Sequence, residues 1–400
     1  MSRPHILIVD RVSDLGGAEL SLIDLVTTMT AYRYTAALPG PGPLVDRLLD
    51  RGVDVRFVPT QSWRWWLRTP RDAMTFALTL PWQIASLWRW VRFLRSTKPD
   101  IVHFNINRII EPVLAARLLN IPSVMHFRDI PSAITYRFAL GRRGFFSVMN
   151  QADAWVANSP ATERDILQHA RTPVSVVPNG INVDAFDRRL ENRGTNGWTG
   201  GIIDARTDRA VDPVRWNGTY LVAMIAGLVL IKNHRSFLRV AKRVCDGRSD
   251  VRFLIAGSGQ PEFEDGLKAY SADLGMTHRV EFLGHVDDVA ALLDEIDLLL
   301  HTTEHEAFGR VFVEAMTARK PVVAFRSGGA AEIVEDGETG VLVEPGDEAA
   351  MAEAVGRLLD DAPTRQRMGV AGRARVEALY SLDSHREGIS DVYDRLLSTP

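Results

Sequence analysis

The chain has 400 residues, more than one ordinary hydrophobic core accommodates, so two domains are expected. Hydrophobic residues make up 46% and charged residues 24%, as in an ordinary soluble enzyme, and a formal net charge of -3 gives no support for bulk nucleic-acid binding. The lone cysteine, Cys245, excludes an intramolecular disulfide framework and fits a reducing compartment. We therefore expect a cytoplasmic protein with no nucleic-acid partner.

The first residues, MSRPHILIVD, predict a strand rather than a signal peptide, because the apolar stretch is short and no small-residue cleavage site follows. No apolar run reaches the roughly 18 uncharged residues that a membrane-spanning helix needs. The closest candidate, residues 73–87, is interrupted by Pro81. We expect no spanning helix.

Short apolar runs alternate with longer helical patterns along the chain. They predict strands of a first unit at HILIVD, TAALPG, DVRFVP, DIVHFN, PSVMHF, AWVANS and VSVVPN. A second set predicts strands at YLVAMIAG, VRFLIAGSG, VEFLGH, LLLHTT, PVVAF and GVLVEP. Apolar strands that alternate with helices indicate parallel sheets covered by helices. We therefore expect an α/β protein with two doubly wound, Rossmann-like domains that face a central cleft, with ligands at the carboxyl ends of the strands.

The two sets of strands are separated by a polar, glycine-rich stretch with weak patterning. The predicted boundaries are 1–187 for the first domain, 188–217 for a linker or inserted loop, and 218–380 for the second domain. Residues 381–400 predict a C-terminal helix. That helix is a candidate to pack back on the first domain.

In the first domain, Gly16 and Gly17 of GGAE follow a strand and precede a helical run. Adjacent glycines let a backbone approach a ligand closely, although a plain strand–helix turn is the alternative. His126, in HFRD, ends another strand and is either a cleft residue or a structural histidine. His103 and Asn105, at the end of DIVHFN, carry the same two interpretations.

In the second domain, Lys232 follows the first strand, where a lysine can meet a diphosphate; a solvated surface lysine is the alternative. Gly257, in AGSG, starts a weak glycine-rich loop. Gly328 and Gly329 form another such loop before a helix.

The most informative segment is HTTEHEAFGRVFVEAMTARKPVVAF. Glu306 and Glu314 are eight residues apart, and Phe308-Gly309 between them precedes a helical pattern. One carboxylate therefore lies in the loop before a helix and the other about one turn inside it. The helix start directs free backbone N–H groups and partial positive charge at a ligand. Carboxylates can bind the hydroxyl groups of a sugar nucleotide, and the backbone amides beside them can bind its phosphates.

Taken in order and spacing, these motifs resemble the retaining nucleotide-sugar glycosyltransferases of family 4, which have the GT-B fold. The resemblance spans residues 5–395, and Glu306-x7-Glu314 with the following VEAM is its most specific part. It implies transfer of a sugar from a nucleoside-diphosphate sugar to an acceptor hydroxyl, with retained anomeric configuration. The setting would be bacterial glycan, polysaccharide or glycolipid synthesis, with a glycan or lipid-linked acceptor. We expect neither a metal nor another cofactor, because no DxD-like cluster lies near the expected site.

The resemblance also implies roles for single residues. Glu314 corresponds to the ribose-binding carboxylate, Glu306 to the carboxylate near the donor sugar, and His126 to the histidine near the reacting sugar. The expected catalytic residues are His126 and Glu306. The expected donor-binding residues are Gly16, Gly17, Lys232, Asn233, Gly257, His285, Val286, Phe308, Gly309, Arg310 and Glu314.

One position departs from the family pattern. An arginine usually follows the glycine that corresponds to Gly227, and this chain has Leu228 there. A charge-assisted contact is worth roughly 1.5–3 kcal/mol, so its loss would weaken donor binding. Arg310 and Arg326 are candidates to compensate. If neither does, an arginine at position 228 should tighten donor binding.

Residues 61–98 hold six of the nine tryptophans and seven basic residues against one acidic residue, Asp72. This composition suits an anionic membrane surface. The alternative is a normal helix whose core-facing stripe consists of Ile84, Leu87, Trp88, Val91 and Leu94.

Other functions remain open at this point. A nucleotide-sugar epimerase shares the architecture. A non-catalytic nucleotide-sugar binder is the other alternative, because such a protein would not need the arginine that Leu228 replaces. A doubly wound oxidoreductase is disfavoured, because the dinucleotide fingerprint G-x-G-x-x-G is absent after the first strand.

Overall fold

The structure is a computed structural model that describes residues 3–60, 70–132, 141–195, 202–204, 209–211 and 218–398. The chain divides into two compact units. Unit 1 consists of Met1–Gly180 and Leu382–Pro400, and unit 2 of Ile181–Ser381. The boundary thus follows Gly180 rather than residue 187, and the C-terminal helix belongs to unit 1. Most of the predicted linker lies outside the described residues.

Unit 1 is built on a parallel sheet with strand order β3-β2-β1-β4-β5-β6-β7. Its strands are β1 (His5–Val9), β2 (Arg33–Leu38), β3 (Asp54–Phe57), β4 (Ile101–Phe104), β5 (Ser123–Phe127), β6 (Ala154–Ala157) and β7 (Val174–Val176). Its helices are α1 (Gly17–Thr28), α2 (Pro43–Leu49), α3 (Pro70–Thr97), α4 (Glu111–Leu118), α5 (Gly141–Met149), α6 (Pro160–Leu167) and the C-terminal helix (Leu382–Ser398).

Unit 2 repeats this plan with strand order β12-β11-β10-β13-β14-β15 and a separate antiparallel pair, β8-β9. Its strands are β8 (Ile202–Asp204), β9 (Arg209–Val211), β10 (Tyr220–Ile225), β11 (Val251–Ala256), β12 (Val280–Gly284), β13 (Leu298–His301), β14 (Val322–Phe325) and β15 (Gly340–Val343). Its helices are α7 (Val183–Thr195), α8 (His234–Gly247), α9 (Pro261–Asp273), α10 (Val289–Glu295), α11 (Arg310–Thr317), α12 (Ala330–Ile333), α13 (Glu348–Asp360) and α14 (Ala362–Leu379).

Each sheet is buried on both faces, which explains the nearly continuous apolar runs of its central strands. In β1, Ile6 and Ile8 join a core formed with α1, α2 and the C-terminal helix. Leu7 and Val9 join the opposite core, formed with α3 to α6. Unit 2 has the same two layers, one with α8, α9 and α13 and the other with α10, α11, α12 and α14.

All thirteen predicted strands are present, and the prediction of two doubly wound parallel sheets is confirmed. The short pair β8-β9 was not predicted. In each unit the strand order reverses beside the first strand, between β1 and β4 and between β10 and β13. Loops diverge there and leave a crevice at the carboxyl ends of the strands, where doubly wound domains bind ligands.

Within the described residues, no helix combines the length and the apolar content needed to cross a membrane.

Candidate functional site

The crevice of unit 2 holds an ion pair between two of the expected site residues. Lys232 leaves β10 in a short 3-10 turn, and Glu306 lies in the loop after β13. Lys232 Nζ is 2.5 Å from Glu306 Oε2, and both side chains are largely buried. The strand reversal therefore brings a cation and a carboxylate together across 74 residues of sequence.

Further contacts tie these two loops to each other. Asn233 has a left-handed backbone, φ 53°, which turns the chain into α8. Its carbonyl oxygen accepts a hydrogen bond from Thr302 Oγ1 at 3.0 Å, and its Nδ2 donates to Glu304 Oε1 at 3.2 Å. Asn233, an expected donor-binding residue, is thus also a structural link that positions Lys232.

Phe308 and Gly309 set the start of α11. Gly309 is the N-cap residue with φ 87°, and a Cβ atom there would lie 2.4 Å from the Phe312 ring. The ring of Phe308 is buried against Tyr380, with centroids 5.8 Å apart. The phenylalanine is therefore an anchor, and only the backbone at this position is open to a ligand role.

The first turns of α11 carry a second ion pair. Arg310 Nε is 2.8 Å from Glu314 Oε1, one helical turn away, and both side chains are mostly buried. The two carboxylates of the E-x7-E motif thus each contact a cation, and the two ion pairs flank the N-terminus of one helix.

The glycine pair after β14, Gly328 and Gly329, packs against the backbone of the loop that carries Glu306. Gly329 N donates to Glu306 O at 2.7 Å. A Cβ atom at Gly328 would lie 2.0 Å from the same carbonyl oxygen. These glycines are required by close backbone packing, which is the structural explanation of the GG motif.

Close backbone packing also explains the glycine at position 257. Its φ is 142°, and a Cβ atom there would lie 2.0 Å from Ala226 O. His285 and Val286 follow β12 at the end of the sheet order, away from the strand reversal. His285 is exposed and lies 3.4 Å from Asp287, whereas Val286 packs partly against the core.

Unit 1 places the GGAE motif at the start of α1. Gly16 is the N-cap residue and Gly17 the first helical residue. Glu19 is buried, and a Cβ atom at Gly16 would lie 2.8 Å from its Oε2. Burial, and then the charge of Asp10, raise the pKa of Glu19 to about 7, while hydrogen bonds from backbone N–H groups of Glu19 and Gly16 oppose the shift. Sequence reasoning missed Glu19, although it stands in the motif.

Polar side chains from four strand ends meet below this loop. Asn105 Nδ2 donates to Asp10 Oδ2 at 2.6 Å, which links the ends of β4 and β1 across the strand reversal. Arg128 donates to Asn105 Oδ1 at 3.0 Å and to Asn179 Oδ1 at 2.7 Å. Burial raises the pKa of Asp10, whereas the hydrogen bond from Asn105, those from the backbone N–H groups of Val12 and Arg11, and the charge of Arg128 oppose that shift. The motifs DIVHFN, HFRD and VVPNGIN thus supply one buried network.

His126 lies inside β5 and is fully buried. Its Nδ1 is 3.2 Å from His103 Nε2, and His103 Nδ1 is 2.5 Å from the hydroxyl of Tyr393 on the C-terminal helix. Burial, and then the charge of Arg128, lower the pKa of both histidines. His126 is therefore a neutral, enclosed side chain.

The position of the missing arginine faces the core. Leu228 is 2% exposed and packs with Met224 and Phe237. The expectation that an arginine at this position would tighten donor binding stays a prediction, but the substitution has a cost, because the new cation would replace a buried side chain. Arg326 is paired with Asp336 and Glu344 instead.

Within the described part of the chain, no group of three or more His, Cys, Asp or Glu side chains could hold a metal ion.

Models of two protein families match the chain. The model described as Glycosyltransferase Family 4 matches residues 16–185, and the one described as Glycosyl transferases group 1 matches residues 209–375. The two matches fall almost entirely in unit 1 and unit 2, respectively.

Curated relatives include D-inositol 3-phosphate glycosyltransferase of Corynebacterium diphtheriae, 32% identical over 56% of this chain and 52% of that protein. N-acetyl-alpha-D-glucosaminyl L-malate synthase of Bacillus anthracis is 38% identical over 37% of this chain and 40% of its own. The chain spans about half the length of the curated relatives it matches.

Among solved structures, Anabaena Alr3699/HepE in complex with UDP-glucose superposes with a TM-score of 0.78, at 22% identity, over 98% of this chain and 99% of that chain. Sucrose-phosphate synthase from Thermosynechococcus elongatus gives a TM-score of 0.74 at 17% identity over the full length of both chains. At this identity the likeness shows the fold. With the two family matches, it places the chain in the glycosyltransferases of the GT-B fold that join a family 4 amino-terminal region to a group 1 carboxyl-terminal region.

Proposed function

We propose that the protein is a retaining glycosyltransferase that moves a sugar from a nucleoside-diphosphate sugar to an acceptor hydroxyl. The observation that carries this proposal is the crevice of unit 2, where Lys232–Glu306 and Arg310–Glu314 flank the N-terminus of α11. Lys232 and the helix amides suit the diphosphate, and the two carboxylates suit hydroxyl groups of the sugar and ribose.

The ion pair between Lys232 and Glu306 implies that Lys232 exchanges its carboxylate partner for a phosphate when the donor binds. A phosphate oxygen that approaches Lys232 competes with Glu306 for the ammonium group. Because both contacts are charge-assisted and of similar strength, the exchange costs little and releases the carboxylate for a sugar hydroxyl. Binding of the diphosphate and orientation of the sugar are thereby coupled through one residue pair.

In the proposed reaction the leaving diphosphate takes the acceptor proton on the face where the new bond forms, so that configuration is retained. The protein then holds donor and acceptor in line and stabilises the departing charge, with Lys232 and the start of α11 in the second role. His126 is neutral and enclosed, so it enters this proposal as a hydrogen-bonding group and not as a base. The proposal requires no metal.

Uridine diphosphate sugars are the first donors to test, because the HepE structures contain UDP and UDP-glucose. Relatives named for capsular polysaccharide and lipopolysaccharide core biosynthesis support a glycan or lipid-linked acceptor in bacterial glycan synthesis. We also propose peripheral contact with an anionic membrane through residues 61–98. Trp63, Trp65 and Trp66 of that segment lie outside the described residues.

The test is incubation with a panel of nucleotide sugars, scored for binding by thermal shift and for products by chromatography. A transferase should release diphosphate and free sugar slowly from one donor without acceptor. Glu306→Gln should abolish that release, whereas Glu304→Gln, two residues away in the same loop, should retain it. Formation of an altered nucleotide sugar without diphosphate release would identify an epimerase. Binding with no conversion, even with glycan acceptors, would identify a non-catalytic binder.

A further inference from the structure

Helix α3 of unit 1 presents large apolar side chains to solvent. Its side chains are described from Leu78 onward, and the exposed ones are Leu78 at 69%, Leu80 at 40%, Trp82 at 68%, Ile84 at 48% and Trp88 at 57%. The same stretch buries Gln83 at 2% and Ser86 at 0% exposure. In this part of the helix, polar residues face inward and apolar residues face outward, the reverse of an ordinary surface helix.

The core-facing stripe predicted from the sequence is therefore wrong in part. Val91 and Leu94 are buried as predicted, but Ile84 and Trp88 are exposed, and Trp90 is fully buried. A helix has 3.6 residues per turn, so Trp90 shares a side with Ser86 four positions earlier, whereas Trp88 shares a side with Ile84. The buried side packs in the core shared with α4.

Basic residues accompany the exposed apolar ones. Arg89, Arg92 and Arg95 are exposed on the same helix. The sequence has no acidic residue between Asp72 and Asp100, so the outer side of α3 carries unbalanced positive charge. Single exposed apolar residues are common, but a contiguous set beside one sign of charge marks an interaction surface.

The chemistry of this surface matches a lipid bilayer. Tryptophan rings favour the headgroup level of a membrane, and basic side chains are attracted to anionic headgroups. A helix of this kind lies in the plane of the interface with its apolar side chains inserted. The length of α3, 28 residues or about 42 Å, gives an extended line of contact.

We propose that the outer side of α3, formed by Leu78, Trp82, Ile84, Trp88, Arg89, Arg92 and Arg95, docks on an anionic membrane surface. The biological role of this docking rests on the proposed function. The docking surface would bring the enzyme to a lipid-linked acceptor. The docking itself does not depend on transfer activity.

The test is co-sedimentation of the full chain with vesicles of phosphatidylcholine alone or mixed with phosphatidylglycerol. Wild-type protein should bind only the anionic vesicles, and binding should fall as salt rises. Trp82→Gln with Trp88→Gln should weaken binding at least tenfold, and Arg89→Gln with Arg92→Gln and Arg95→Gln should weaken it and reduce its salt dependence. Leu49→Gln, which changes another exposed apolar residue, on α2, is the control and should bind like wild type.

Two outcomes would overturn the proposal. One is wild-type protein that stays in the supernatant with anionic vesicles at low salt. The other is a Trp82 and Trp88 double variant that binds like wild type. A wild-type dimer that the double variant converts to monomer, without vesicle binding, would instead show that a second copy covers this side. Thermal shift with UDP, run on the same samples, reports the donor site separately and so distinguishes failure of docking from failure of the proposed function.

Discussion

At the scale of single residues, Glu314 and Glu306 should differ in what their loss does. Glu314→Ala removes the proposed ribose contact and should raise the dissociation constant of UDP about tenfold, which corresponds to about 1.4 kcal/mol. Glu306→Gln should change UDP affinity less than it lowers turnover, because its proposed partner is the sugar. Calorimetry with UDP and a donor-hydrolysis assay measure the two effects.

The control is Arg310→Gln, which breaks the same ion pair from the other side. Arg310→Gln measures what loss of the ion pair alone costs in melting temperature. If Glu314→Ala lowers the melting temperature by the same amount but binds UDP with wild-type affinity, the carboxylate holds the helix and is not a ribose ligand.

Position 228 and its neighbour 227 should respond in opposite ways to an arginine. Leu228→Arg places a charge in the core and should destabilise the protein by about 3 kcal/mol or more. A Cβ atom at Gly227 would have one neighbour within 4 Å, Ser258 O at 3.8 Å, and the residue is exposed, so a side chain can start there and extend into solvent. Gly227→Arg would then add a cation to the loop before Lys232. We expect Gly227→Arg to fold and to tighten UDP binding. Denaturant unfolding and calorimetry of both variants check this; a stable Leu228→Arg protein would contradict the burial argument.

At the scale of elements, the start of α11 depends on Gly309. Gly309→Ala has to adopt φ 87° and also meets the Phe312 ring. Gly346 has φ 84° but open space around its Cα, so Gly346→Ala bears the backbone cost alone. That cost is about 1–2 kcal/mol. We expect Gly309→Ala to lose more stability than this and to lose UDP binding, whereas Gly346→Ala should bind normally. Equal losses of stability and binding would show that the ring contact is unimportant.

The start of α1 should make stability depend on pH. Folding raises the pKa of Glu19 from 4.5 to about 7, so the folded state holds this proton more tightly than the unfolded chain. The free energy of unfolding should therefore fall as pH rises between these values and stay low above them, by an amount on the order of 3 kcal/mol. Glu19→Gln should flatten this slope in denaturant titrations between pH 5 and 8.

Glu163→Gln is the control, because Glu163 also lies in the first turn of its helix, α6, but is less buried. A wild-type protein whose stability is flat from pH 5 to 8, or a Glu19→Gln variant with the wild-type slope, would contradict the role given to Glu19.

At the scale of the whole molecule, the chain leaves unit 1 at Gly180 and returns to it at Leu382. Tyr393 on the returning C-terminal helix is fully buried, and its hydroxyl shares a hydrogen bond with His103 of β4. Tyr393→Phe leaves a buried ring nitrogen of His103 without its hydrogen-bond partner and should cost about 1–3 kcal/mol. Tyr32→Phe also removes a hydroxyl bonded to the C-terminal helix, but its partners, Ser390 and Asp394, are more exposed, so it should cost less. Denaturant unfolding followed by tryptophan fluorescence compares them; equal costs would show that burial of the His103 bond does not matter.

The sequence by itself determined the strands of both sheets and the position of the two carboxylates of the E-x7-E motif relative to α11. Periodicity located every strand of both sheets, because parallel strands covered on both faces are short apolar runs that differ from amphipathic helices. The spacing of Glu306 and Glu314 placed one carboxylate before α11 and one within it, since both positions are set by local helix geometry.

Only the tertiary structure decided which groups meet and which side chains are enclosed. Lys232 pairs with Glu306 because the strand order reverses between β10 and β13 and brings their loops together. The sequence around Leu228 and His126 is compatible with either an exposed or a buried side chain. Packing against neighbouring elements buries both. The rotation of α3 was likewise set by its packing in the core with α4, because a helix with tryptophans on both sides has no unique inner face in its sequence.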